Sequence, residues 1–225
     1  MQIILESGLT DKPIERIIVE NFQASDVSLD VGTKRDVDKF VVKFEGGAEM
    51  VMTVSLDKQS VAKKYQSPSL QETSVLEKVR HHDIAWSVQR WLGSTFIEDK
   101  DGTRGLICKE FIPGFMLANY TSDVAMAIDA YGLEAMRQLA YAVGRMVANV
   151  LVTLGGIPID SNGLNIIVTE DSDGSPRTRY CDVEMLRTSK KDIKKEIGLI
   201  KRELAELGAE FVKGLKKNYS GNLIE

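Results

Sequence analysis

IPIDSNGLNIIV, residues 157–168, is the stretch on which the fold turns. It sets Asp160 and Asn165 around Gly163, directly before the apolar β-branched run Ile166-Ile167-Val168. A turn needs only one Asx or Gly. Two polar side chains ahead of a strand place a carboxylate and an amide at that strand's edge. Downstream, TEDSDGSP (169–176) carries the residues a hairpin turn uses. The run 177–183 then reads as a second strand, ending in Cys181-Asp182-Val183-Glu184. A hairpin of strands 164–169 and 177–183 brings Asn165 and Asp182 toward one rim.

The chemistry of that rim follows from the residue types. A carboxylate and an amide carbonyl are hard oxygen donors, suited to Mg²⁺ that also holds phosphate oxygens. Asp160, one loop away, can orient a hydroxyl or accept its proton. Two ordinary turn Asx residues would give the same letters, and these motifs alone leave both readings open.

Working outward, residues 123–154 show sustained helical spacing of Ala135, Leu139, Val143, Met146, Val147, Val150 and Leu154, stopped by Gly155-Gly156. Residues 189–217 read as one charged amphipathic helix that packs on the helical half. Toward the N-terminus, 38–56 is β-rich on both sides of a Gly46-Gly47 bend, and SVAKKY (60–65) is a short strand. Leu70, Val75, Leu76 and Val79 fall near helical spacing. Residues 86–98 are mixed, and LICKEFIPG (106–114) is a strand closed by Pro113-Gly114. His81-His82 diverge by ~100° on a helix and read as a helix end, not a metal site. Asp171 and Asp173 read as a turn. Residues 1–35 are assigned no chemistry. The expectation is an α+β, two-lobed chain: a β-rich lobe over 1–110 and a helical lobe over 111–225.

Composition bounds the class. With 225 residues the chain can build one sizeable core or two small lobes. A net charge of −4 gives no broad basic footprint, so extended nucleic-acid binding is not expected. Cys108 and Cys181 sit in apolar runs and read as buried thiols of a reducing compartment, not a disulfide framework. The charged start MQIILESGLTDKPIERIIVE is unlike a signal peptide, and no apolar run approaches the ~20 residues that span a bilayer. A soluble, cytoplasmic protein is expected; the same sequence is compatible with an effector exported by another route.

Taken in order, these stretches resemble the protein-kinase-like superfamily. Asp160 and Asn165 match the D-x-x-x-x-N of its catalytic loop, and YCDVE (180–184) resembles its metal-binding segment, with Asp-Val-Glu in place of Asp-Phe-Gly. Residues 44–79 resemble the segment from the glycine-rich loop to the helix that follows the lysine strand. Gly46 and Gly47 are small enough for backbone N–H groups to approach phosphates. V-A-K-K resembles the family's V-A-I-K and puts the phosphate-pairing lysine at Lys64, with Ala62 beside adenine on the same strand face; Lys63 takes the role if the register shifts. Glu72 opens the next helix and is the expected partner of Lys64. LICKEFIPG resembles the hinge, with backbone groups near Glu110 and Ile112 at the adenine edge and Lys109 near the gatekeeper. Cys181 would line the nucleotide pocket. The ordered set covers roughly residues 40–186.

The pattern also departs from the family. Pro158-Ile159 replaces the usual His-Arg, Asn162 stands where Ser/Thr kinases commonly carry Lys, and nothing resembling Ala-Pro-Glu follows Glu184. Only about forty residues remain after it. The chain is therefore similar to minimal atypical kinases: those linked to tRNA modification, some bacterial effector kinases and aminoglycoside-phosphotransferase-like proteins. The resemblance implies ATP- and Mg²⁺-dependent phosphoryl transfer to a protein hydroxyl. Lys64, Glu72 and Asp160 would be catalytic, and Asn165 and Asp182 would hold the metal. A pseudokinase module and a small-molecule kinase are the alternatives, and a protein substrate or partner is expected.

Overall fold

The computed structural model describes residues 19, 23–29, 37–55, 75, 78, 87–99, 102–181, 183 and 186–219. The chain separates into two compact units: Met1–Leu76 with Arg90–Phe111, and Glu77–Gln89 with Ile112–Glu225.

The first unit carries a five-stranded antiparallel sheet of β1 (Asp26–Leu29), β2 (Val37–Lys43), β3 (Glu49–Ser55), β4 (Trp91–Asp99) and β5 (Gly102–Glu110), in the order β1-β2-β3-β5-β4. Period-2 alternation puts Phe40 and Val42 of β2 on one buried face. Register then aligns Phe40 with Met52 and Met52 with Cys108, so three strands contribute one buried row. The β2–β3 bend falls at Gly46-Gly47, as the sequence indicates. Both have positive φ (+94° and +84°), a region glycine enters without steric cost. The mixed stretch 86–98 is instead largely strand. Pairing across β5 outweighs a sequence in which apolar residues occur side by side rather than alternating.

The second unit is built on α3 (Leu133–Leu154), preceded by β6 (Phe115–Met116), α1 (Ala118–Thr121) and α2 (Val124–Tyr131). Asp123 caps α2 by accepting from the Met126 N–H at 3.0 Å. Gly155 ends α3 in the left-handed conformation. Then come β7 (Ile157–Pro158), a 3₁₀ turn Gly163–Asn165, β8 (Ile166–Glu170), β9 (Pro176–Tyr180) and β10 (Leu186–Arg187). β8 and β9 form the expected hairpin, and β6 extends it to three strands. β10 pairs with β7.

The C-terminal stretch is not one helix. It is α4 (Lys190–Glu203), a 3₁₀ turn Ala205–Leu207 and α5 (Gly208–Asn218). Ala205 breaks it with φ +47°, and Leu204 and Leu207 on either side are buried. Packing at the break outweighs the unbroken helical spacing of the sequence. α5 lies on α3 at close range. A Cβ on Gly144 would run into the Phe211 carbonyl, and one on Gly214 into the Tyr141 carbonyl. Leu139, Val143, Val147 and Val150 of α3, with Phe211 and Leu215 of α5, are all buried in this core. Among the described residues no helix is long and apolar enough to cross a membrane.

Candidate active site

In the loop between β7 and β8, every backbone N–H from Ser161 to Asn165 donates a hydrogen bond. Asp160 is exposed and takes φ +54°, a left-handed conformation that costs a non-glycine residue about 1–2 kcal/mol. Its carbonyl accepts the Asn162 N–H at 2.6 Å and the Asn165 side-chain Nδ2–H at 2.8 Å. Asn162 Oδ1 accepts the Leu164 N–H at 3.0 Å, and the Asn162 carbonyl accepts the Asn165 N–H at 3.0 Å. Ser161 is fully buried and donates its hydroxyl proton to the Pro158 carbonyl.

This geometry fixes the orientation of the Asn165 amide. With Nδ2 donating to Asp160, the carbonyl oxygen Oδ1 is the end left over, and among the described residues none donates to it. Asn165 is buried, so the loop holds one hard oxygen acceptor in a set direction, which fits a divalent cation with phosphate ligands.

The segment expected to supply the second metal ligand is stitched to this loop on both sides. The Cys181 N–H donates to the Asn165 carbonyl at 3.0 Å, and Tyr180 pairs with Ile166. Beyond it, Leu186 pairs with Pro158 and Arg187 with Ile157. Asp182 lies outside the described residues, but its neighbours on both sides bond to the chain flanking Asp160 and Asn165. Val183 is buried. Pro158-Ile159 stands in place of the family's His-Arg, and the β7–β10 backbone pair links loop and segment without those side chains.

Residues 87–89 run along β9. Tyr180 N–H donates to the Ser87 carbonyl at 3.0 Å, and Gln89 N–H donates to the Tyr180 carbonyl at 2.8 Å. Tyr180 is fully buried, and that burial raises its phenol pKa.

In the other unit, Gly46 and Gly47 form the tip of the β2–β3 hairpin, closed by Phe44 N–H to the Ala48 carbonyl at 2.9 Å. Glu110 ends β5. Its N–H is taken by the Arg90 carbonyl at 2.9 Å, and its carboxylate accepts the Arg90 N–H at 2.8 Å. Lys109 is 3% exposed, an unusual burial for lysine. Ile112 follows, half-buried. Cys108 and Cys181 are both buried thiols. Ala62, Lys64 and Glu72 lie outside the described residues.

Two residues escaped the sequence reading. Glu196 accepts the Ser161 N–H at 3.3 Å, and Glu203 accepts the Gly163 N–H at 2.7 Å. Burial pushes the Glu203 carboxyl above its ordinary pKa, and the Gly163 N–H pulls it partly back. Their signal was present: both fall on the apolar stripe of α4 with Ile193, Ile197, Ile200 and Leu204.

No family model and no curated protein matches the chain. Solved structures do. WaaP in complex with acyl carrier protein aligns over 94% of this chain and 89% of its own, at 13% identity and TM-score 0.58. The pseudokinase DRIK1 (drought responsive inactive kinase 1), bound to ENMD-2076, covers 88% and 71% at 16% identity and TM-score 0.53. Rad53 1–466 in complex with AMP-PNP covers 92% and 56% at 14% identity and TM-score 0.52. The chain has a bilobal protein-kinase-like fold. In that fold the β-rich unit corresponds to the N-lobe and the helical unit to a truncated C-lobe. Similarity at 13–16% identity, to a group that includes a pseudokinase, shows the fold and leaves activity to the site.

Proposed function

We propose that this chain is a minimal, atypical kinase that transfers the γ-phosphate of ATP, with Mg²⁺, to a protein hydroxyl. The observation that carries the reading is the Asn165 amide. Asp160 orients it with its own carbonyl, and the Cys181 N–H, bonded to the backbone carbonyl of Asn165, ties that residue to the segment that contains Asp182. A turn built only to reverse the chain does not need a buried amide to whose oxygen no described residue donates.

Each residue then has a task. Gly46 and Gly47 cover the phosphates at the hairpin tip, with the Gly46 N–H as the donor, since the Gly47 N–H is given to the Phe44 carbonyl at 3.1 Å. Lys64, held by Glu72, orients them, and Ala62, Glu110, Ile112 and Cys181 line the adenine site. Asn165 and Asp182 hold Mg²⁺, which when bound neutralises charge developing on the phosphoryl oxygens. Asp160 points the acceptor hydroxyl at the phosphorus and takes its proton. Positioning and electrostatics supply most of the acceleration in such a site. The AMP-PNP bound to the Rad53 neighbour supports a nucleotide, and the acyl carrier protein bound to the WaaP neighbour supports a protein partner.

The test pairs binding with transfer. ATP with Mg²⁺ raises the thermal midpoint of the wild type, and radiolabelled γ-phosphate passes to the chain itself or to casein. Asp182→Ala and Asn165→Ala abolish the transfer. Stabilisation without Asp182-dependent transfer makes the chain a pseudokinase module, the reading that Pro158-Ile159 favours. No stabilisation by nucleotide at all removes both.

A further inference from the structure

The apolar stripe of α4 contains two carboxylates that helix packing does not explain. Ile193, Ile197, Ile200 and Leu204 are buried, and Glu196, only 4% exposed, sits among them. Glu203 follows Glu196 two turns later on the same stripe. An ionised carboxylate is costly to bury unless hydrogen-bonded. Glu203 is also the last residue of α4, where unpaired carbonyls already make the helix end negative. Local helix energetics therefore disfavour both residues.

What they meet is one short loop. Glu196 takes the N–H of Ser161 and Glu203 the N–H of Gly163. Gly163 is pressed so closely that a Cβ would stand 2.7 Å from the Ala118 nitrogen and 3.1 Å from Glu203 Oε2. Immediately before these two anchored amides lies Asp160, in its left-handed conformation. Such strain persists only where the surroundings over-determine it. Here they do: the Asp160 carbonyl is bound by Asn162 and Asn165, and the next residues are pinned from α4.

We propose that Glu196 and Glu203 are positioning residues, a pair of carboxylates on one helix that clamps the 160–165 loop in the strained geometry presenting Asp160 to its acceptor. The catalytic part of this statement rests on the phosphotransfer reading of Asp160; the clamp itself does not. Glu203 is the member to test, because it is only half-buried and its loss leaves the core of α4 intact.

The experiment uses the full chain as wild type, Glu203→Ala, Glu203→Gln and Ser189→Ala. The last weakens α4 at its N-cap without touching the loop. Amide hydrogen exchange reports Gly163 and Ser161 directly, and ATP hydrolysis, with water as acceptor, separates kcat from KM for ATP. In Glu203→Ala the Gly163 amide exchanges about tenfold faster and kcat falls about tenfold with KM unchanged. Glu203→Gln, which keeps an acceptor oxygen, restores both, and Ser189→Ala changes neither. The proposal is overturned if Gly163 exchange is unaltered in Glu203→Ala, if glutamine does not rescue, or if Ser189→Ala does the same as alanine at 203. A wild type that neither hydrolyses ATP nor passes γ-phosphate to itself or to casein removes the kinase reading, and Gly163 exchange with its glutamine rescue then decides the clamp alone.

Discussion

At the scale of single residues, burial sets the chemistry of groups the sequence shows only as letters. Cys108 is buried in the row it shares with Phe40 and Met52, and desolvation pushes its thiol up to about 12. The thiolate is the reactive form, so native Cys108 resists iodoacetamide at pH 8 and reacts once the chain is unfolded in urea. Mass spectrometry of the labelled peptides reads this; modification of Cys108 in native protein would contradict it. Glu203 makes a pH-dependent prediction of the opposite practical sense. Its pKa is raised on folding, so the native state favours the protonated acid. That contribution is present below the ordinary carboxylate value and is lost as pH rises through the folded value. Glu203→Gln cannot titrate. Its thermal midpoint therefore gains on the wild type as pH climbs from about 4 through that window, and above it the gained difference stays constant. A difference independent of pH would show that the charge at 203 costs the folded state nothing.

At the scale of elements, close helix contact rests on absent side chains. Gly144 of α3 faces the backbone of Phe211 and Leu215, so Gly144→Ala must force α3 and α5 apart despite alanine's better helix propensity. Overpacking of this kind costs about 1–3 kcal/mol, which in a chain of this size lowers the thermal midpoint by ~2–4 °C per kcal/mol. Calorimetry of the single mutant checks it, and an unchanged or higher midpoint would show that the helices can separate freely. The same contacts explain what the sequence disclosed and what it withheld. The 164–183 hairpin, the Gly46-Gly47 bend and α3 are specified by neighbours in sequence: turn residues, glycines and a sustained helical period. The strand Trp91–Asp99 is specified by β5, to which it pairs, and its own letters do not alternate. The break between α4 and α5 depends on Ala205 taking a positive φ, and no residue preference announces that. Asp160 and Asn165 were legible as a spacing. Their helpers Glu196 and Glu203 were marked only by their place on the apolar stripe of α4; what they bind is set by a loop some forty residues away, which helical spacing does not name.

At the scale of the whole molecule, the chain divides into two units with separate cores, and the proposed ligands divide with it. Gly46, Gly47 and Lys64 belong to one unit, and Asp160, Asn165 and Asp182 to the other. A ligand that draws on both sets stabilises both at once, because anything bound only by the folded form shifts each opening equilibrium by mass action. At a concentration of ATP and Mg²⁺ one hundred times Kd, that shift is about 2.7 kcal/mol, roughly a hundredfold in the population of open states. Amide exchange should therefore slow by up to about that factor in two places together: the β2–β3 hairpin around Gly46 and the β8–β9 hairpin after Asn165. Asp182→Ala, which removes a proposed metal ligand from the second unit, should diminish protection in the first as well. Exchange followed peptide by peptide, with and without nucleotide, distinguishes this from a ligand held by one unit alone. Protection confined to the β2–β3 hairpin, indifferent to Asp182, would mean that the phosphates never reach the Asn165 amide, and the phosphotransfer reading would fall with it.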